Sequence, residues 1–211
     1  PYVWVVLGVT LCFGLIGFNP ATILGTRHAE PALLGAAVAC IPIVLALAGP
    51  LTQRRRPATR AVGGAVVVTV GAIAMTGWGR GDAIGVLMGV ALVACEAGLT
   101  LFGAPALPRM GAWSYSAATA MVAAVVFAIL SVALERPALD SLARAQTIGA
   151  ILYLGAIATA VAFVLWFTGV QRLGPGTVGL CAGIAAPAAA LVAALFGAAL
   201  PAAGAWIGMA V

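Results

Sequence analysis

Charged residues divide this chain into long uncharged stretches. Residues 1–26, 31–53 and 61–79 carry no Asp, Glu, Arg or Lys. Residues 83–108 carry only Glu96, and residues 110–134 and 145–171 carry none. Residues 173–211 are uncharged over 39 positions. A bilayer core about 30 Å thick needs about 20 apolar residues of helix, so each of the first six stretches is one crossing. The last is too long for one, and Gly197 to Pro201 offers a break because Pro rarely continues a helix. The pattern predicts seven spans and part of an eighth. Strands fail on length and pattern, since the runs lack period-two alternation and are rich in Ala and Leu. Backbone groups in lipid must be satisfied within the segment, which leaves helices. The expected fold class is all-α, a polytopic membrane protein in the cell (plasma or inner) membrane.

Composition narrows this further. The chain is 64% hydrophobic and 7% charged, whereas soluble domains carry about 25% charged residues. That excludes a soluble domain, a disordered chain and a disulfide-rich secreted module. The first span lacks a basic n-region and a cleavage site, so it does not read as a signal peptide. No basic stretch is interleaved with stacking aromatics, so nucleic acid is not an expected partner. The chain opens on Pro1, and residues 201–211 would rise only about 16 Å as helix, roughly half a crossing. Both ends therefore read as cuts in a longer protein.

The gaps alternate in charge. Those after the second, fourth and sixth spans hold Arg54, Arg55, Arg56, Arg60, Arg109 and Arg172, and no acid. The others hold Arg27, Arg80, Arg136 and Arg144 against Glu30, Asp82, Glu135 and Asp140. The Arg54–Arg56 cluster decides the assignment: these gaps are cytoplasmic and the first span runs outward.

Two spans share a pattern. Pro31 to Pro42 and Gly176 to Pro187 are each a run of small residues ending in a mid-span Pro. Gly63 and Gly208 each follow their Pro by 21 residues. Five spans separate the two copies, an odd number, so they cross in opposite directions. Inverted repeats are a common architecture of secondary transporters, with the substrate site near the midplane.

At this point the chain resembles a family. Tyr153 to Phe167, then Arg172-Leu-Gly-Pro-Gly-Thr-Val and the small-residue run to Pro187, look like the second half of an EamA-type transporter of the drug/metabolite transporter superfamily. Gly85 to Arg109, with Ala94-Cys95-Glu96-Ala97, looks like the opening helix of that half. The resemblance implies ten helices in two inverted five-helix repeats. Residues 1–79 would be the remainder of the first repeat and residues 80–211 the second, with its last helix truncated. About eight of the ten helices would be present. The Gly-Glu pattern frequent after the ninth helix is absent: Ala198 holds that place, and Gly49-Pro50-Leu51 the equivalent one.

Glu96 is the single charge inside a span. A carboxylate at mid-bilayer costs about 2.5–3.5 kcal/mol on insertion scales, so it should face a cavity or a partner. It is expected to bind a cationic or amine-bearing substrate group or to take up a proton. The rival reading is a protonated acid fixing helix packing. Thr100 and Gly103 share its face at i+4 and i+7. Asn19, before the break at Pro20, is a second candidate substrate contact. Pro42 and Pro187 are expected to kink their helices at the cavity. Trp166 is a candidate cavity residue, while Tyr153, Trp78 and Trp113 read as interface anchors. His28, with no second His, reads as a solvated loop residue and not a metal ligand. Cys12, Cys40, Cys95 and Cys181 form no Cys-x-x-Cys pair and read as small hydrophobes.

No phosphate loop, nucleophile elbow or zinc-protease motif occurs, so neither an enzyme nor a bound cofactor is expected. The expected function is secondary transport, in the direction of export, of small organic metabolites or drugs by alternating access, with proton coupling through Glu96 left open. The alternative is a non-transporting membrane scaffold or assembly subunit, with Glu96 packed dry.

Overall fold

A computed structural model of the chain describes residues 16–52, 54–76, 79–134 and 144–182, and the isolated positions 8, 14, 188, 192 and 195. Its helices are α1 (Phe18–His28), α2 (Pro31–Val38), α3 (Ile41–Thr52), α4 (Thr59–Thr76), α5 (Ala83–Gly103) and α6 (Leu107–Leu134). There follow α7 (Ala145–Leu152), a π-helical segment (Tyr153–Val161), α8 (Ala162–Leu173) and α9 (Pro175–Cys181). Among the described residues extended pairing is limited to one isolated bridge, Ala29 with Gly81. Among the described residues four helical stretches are long and apolar enough to cross a membrane: Pro31–Thr52, Ala83–Gly103, Leu107–Ala133 and Ala145–Leu173. The protein is an all-α polytopic membrane protein. Its lipid-facing surface is visible on α6, where Met121, Val125, Ile129 and Val132 fall on one helical face and are all more than half exposed.

The proline of the second span acts as its position requires. The span is broken at Ala39 and Cys40, between α2 and α3, just ahead of Pro42. Pro has no N–H, so it cannot close the ladder to the preceding turn. The Ala39 carbonyl at the break accepts a hydrogen bond from Thr69 Oγ1 of α4 at 2.8 Å. A neighbouring helix thus satisfies a backbone group that water cannot reach. Pro187 lies outside the described residues.

Small residues set the helix spacing. A Cβ built on Gly14 would run into Leu99, one on Gly25 would meet Met88, and one on Gly85 would meet the His28 carbonyl. This constant register makes α1 and α5 antiparallel and closely packed. Likewise a Cβ on Gly49 would lie 2.8 Å from the Gly176 nitrogen, and one on Gly179 would lie 2.8 Å from Leu45 Cβ. The pairing order makes α3 and α9 antiparallel too. Gly174, at φ 83°, is the residue that turns α8 directly into α9.

The loops sort to two ends. At one, Glu30 N donates to the Arg80 carbonyl, and Asp82 N to the His28 carbonyl, at 2.8 and 3.1 Å. Arg80 N also donates to Glu30 Oε2 at 3.0 Å. His28 Nδ1 lies 2.8 Å from Asp82 Oδ2. At the other end, Gln171 Nε2 reaches the Leu107 carbonyl at 3.4 Å, bringing the Arg172 and Arg109 turns together. The antiparallel α3–α9 pair adds the Arg54–Arg56 turn to that end. His28 is therefore not simply solvated. It belongs to a clasp that ties two loops, a contact 54 residues apart in sequence.

Candidate functional site

The site forms on one face of α5. Asp82 caps the helix by accepting a hydrogen bond from Gly85 N at 2.8 Å. That cap and the His28 contact hold the Asp82 carboxyl below the usual carboxylate range. From there α5 runs inward. Glu96 comes about 20 Å along it and about 10 Å from its other end, so it lies well inside the apolar layer.

The surroundings of α5 show where that face points. Leu92 packs in the cluster around Ala21 of α1, and Leu99 meets the first span at Gly14. Val93, Ala97 and Leu101 pack against Ile41 and Leu45 of α3. Glu96 falls on the helix between these two rows, so its face turns into the bundle and not towards lipid. It is half-buried, and no hydrogen bond or ion pair engages it among the described residues.

The same face is closed above and below Glu96. One turn further, Trp166 Nε1 donates to Thr100 Oγ1 at 3.0 Å, joining α8 to α5. Thr100 is fully buried. Another turn on, a Cβ at Gly103 would sit 2.8 Å from the Tyr115 hydroxyl and 3.2 Å from the Phe167 ring. Tyr115 and Phe167 meet edge to face at 4.9 Å between centroids, and both are fully buried. In the opposite direction a Cβ on Gly89 would meet Ala37 at 3.1 Å. On α5, Glu96 therefore lies between the Gly89–Ala37 contact on one side and the Trp166, Tyr115 and Phe167 contacts on the other.

The structure brings Thr100 and Trp166 into contact and places Glu96 one turn away. Asn19 sits in the first turn of α1 and is exposed. By the α1–α5 register it is level with Ala94, close in depth to Glu96. Pro42 is buried in α3, near the Ile41–Leu45 cluster. Thr69, Tyr115 and Phe167 were not anticipated. Thr69 had a signal of sorts, being a polar residue in the helix that follows the Pro42 break. Among the described residues no group of three or more His, Cys, Asp or Glu side chains gathers to hold a metal. Cys40, Cys95 and Cys181 are free thiols, as expected of residues used as small hydrophobes.

An apolar helical bundle with one carboxylate on an interior helix face defines a polytopic membrane protein with a polar group held within its spans. The model of the EamA-like transporter family matches residues 83–211. The chain belongs to the EamA-like transporter family and is a membrane transporter of that type. A solved crystal structure, described only as that of a protein, is similar to it, with a TM-score of 0.80 at 21% identity, over 98% of this chain and 72% of that one. At that identity the likeness speaks for the fold alone. No curated protein matches the sequence.

Proposed function

We propose that the protein is a secondary transporter that exports small organic metabolites or drugs across the plasma or inner membrane by alternating access. The observation that carries this reading is Glu96, which lies on the interior face of α5 without an ion pair among the described residues. A carboxylate kept there at a cost of about 2.5–3.5 kcal/mol needs a use, and an amine-bearing substrate or a proton supplies one. Asn19 faces away from α5, so the reading rests on Glu96 with Thr100 and Trp166 one turn along the same face. Their hydrogen bond ties α5 to α8, so opening towards the Arg-rich end requires it to part. Residues 1–79 and 80–211 are read as parts of two inverted repeats. The antiparallel packing of α3, which follows the first small-residue run, on α9, which opens the second, supports that division.

The test is transport by the protein in sealed vesicles of both orientations, with a panel of labelled amino acids and amine-bearing metabolites. Export predicts uptake of at least one compound into inside-out vesicles, and a loss of tenfold or more in Glu96→Gln. Equal transport by a Glu96→Gln variant that elutes as the parent does would remove Glu96 from the mechanism. Uptake only into right-side-out vesicles would reverse the direction.

A further inference from the structure

The Arg-rich end of the bundle is held together by its backbone and not by its charges. A Cβ built on Gly49 would lie 2.8 Å from the Gly176 nitrogen and 3.1 Å from Pro175 Cγ, which sets the end of α3 against the start of α9. Gly174 joins that start to α8, whose last turn carries Arg172. Gln171 in turn reaches the Leu107 carbonyl at the start of α6, beside Arg109. Arg54, Arg55, Arg56, Arg109 and Arg172 are thereby gathered at one end, and all are exposed. The side chains of Arg54, Arg55, Arg56 and Arg172 make no hydrogen bond or ion pair among the described residues. The gaps that carry these arginines hold no acid to neutralise them.

Arg54 is the unusual member. Its backbone N donates to the Leu51 carbonyl at 3.0 Å, and Arg55 N donates to the Pro50 carbonyl at 2.8 Å. This pair of bonds closes a helix whose next residue turns left-handed, a position that glycine usually fills. Here Arg54 fills it, at φ 56°, and among the described residues it is the one non-glycine with a positive φ. A side chain is strained in that conformation and glycine is not. Strain of this kind gathers where a side chain is put to use, as at ligand clamps. What Arg54 adds over glycine is a guanidinium, and a guanidinium without an acid beside it suits an anion from outside the chain.

The neighbouring surface says which anion. Leu47 and Leu51 lie one turn apart on α3, are exposed, and lead to the Arg54 turn. Leu173, next to Arg172, is exposed as well. A soluble phosphate or an acidic protein segment would match the arginines alone. A phospholipid matches both features, with its acyl chain along the leucines and its phosphate against guanidiniums, which bind phosphate through paired N–H donors.

We propose that the Arg54–Arg56 turn, with Arg172 and Arg109 beside it, is a binding site for the headgroup of an anionic phospholipid in the leaflet at the Arg-rich end. The phosphate pairs with Arg54, and an acyl chain lies along Leu51 and Leu47. The site is separate from Glu96 and does not depend on what the protein transports.

The experiment measures lipid binding to the full chain in detergent by native mass spectrometry, with phosphatidylglycerol and phosphatidylcholine of identical acyl chains as probes. Phosphatidylglycerol is expected to bind about fivefold more tightly or better, the worth of one arginine at an anionic surface. Arg54→Gly should remove about that factor for phosphatidylglycerol and leave phosphatidylcholine unchanged. The same variant should melt no lower than the parent in lipid-free detergent, because glycine suits the turn. Arg27→Gln removes a charge at the opposite end and should change neither affinity. Equal binding of the two lipids, the parent's affinity in Arg54→Gly, or an equal loss in Arg27→Gln would overturn the proposal. Displacement of phosphatidylglycerol by inorganic phosphate would assign the arginines to a soluble anion and overturn it too. So would a lower melting temperature of Arg54→Gly without lipid, which would show that the arginine serves the fold.

Discussion

Trp166 and Thr100, 66 residues apart in sequence, are joined by a hydrogen bond from the indole nitrogen to the hydroxyl oxygen at 3.0 Å. Trp166 also packs against both the Phe167–Tyr115 cluster and the Ile41–Leu45 cluster. One side chain thus links α8, α6, α3 and α5. Thr100→Val keeps the shape and removes the acceptor, while Trp166→Phe removes the donor and part of the packing. Hydrogen bonds between membrane helices average about 0.6 kcal/mol in double-mutant cycles, with a maximum near 1.7. A cycle on these two variants, read by reversible unfolding in detergent, is expected to give a coupling of about 0.5–1.5 kcal/mol. A coupling of zero would mean that the two side chains merely lie close.

The loop clasp makes a pH prediction. The folded state holds the Asp82 carboxyl below its usual value of 3.8, chiefly through the hydrogen bond from Gly85 N and then through His28. A depressed carboxylate pKa adds stability that is fully present above the unfolded value and is lost as pH falls through the folded one. Asp82→Asn keeps a capping oxygen but loses the charge. Its melting temperature should therefore fall below the parent's at about pH 6 and converge on it under acid conditions, below the ordinary carboxylate range. Asp82→Ala, which loses the cap as well, should melt lowest of the three at about pH 6. A constant gap between parent and Asp82→Asn down to low pH would show that the charge plays no part.

The spans were legible because lipid imposes a length and forbids charges, and both leave marks in a linear sequence. Glu96 stood out for the same reason, as did the Pro42 break. What could not be read is which faces meet. The pairings of Gly14 with Leu99 and of Gly179 with Leu45 depend on helix rotation, and a chain rich in Ala and Gly offers many equivalent registers. Tyr115 shows the consequence. The sequence treats aromatics as interface anchors; Trp113 and Tyr153 are more than half exposed, whereas Tyr115 is fully buried beside Gly103. The φ of 74° inside α6 falls on Gly111, a residue that tolerates it, but nothing in the sequence marks the π-helical segment.

Thr69 tests the account of the kink. Its hydroxyl donates to the carbonyl of Ala39 at the break before Pro42, and it is buried. Thr69→Val is close to isosteric and leaves that carbonyl without its partner. The expected loss is about 1–2 kcal/mol in unfolding free energy. Thr69→Ser, which restores the hydroxyl at the expense of a methyl group, should recover about half of it. If Thr69→Ser is no better than Thr69→Val, the methyl group and not the hydrogen bond holds this position.

The α3–α9 contact yields a prediction in which two damaging changes offset each other. Gly179 packs so closely on Leu45 that an added Cβ would lie 2.8 Å from Leu45 Cβ and 3.1 Å from Leu45 Cδ1. Leu45 is completely buried, so it has little room to retreat. Overpacking of this kind costs about 1–3 kcal/mol, and Gly179→Ala should lose that much stability. Leu45→Ala alone should lose about 2–5 kcal/mol by leaving a cavity. Combined, the new methyl group enters part of the space that Leu45 vacates, so the double variant should be more stable than the sum of the two losses by about 1 kcal/mol or more. The clash with Cβ persists in Leu45→Ala, which keeps that atom, so rescue stays partial. Leu45→Gly removes it, and in that background Gly179→Ala should cost less than it does in Leu45→Ala. Strict additivity in both pairs would mean that α9 does not sit against α3 in this register.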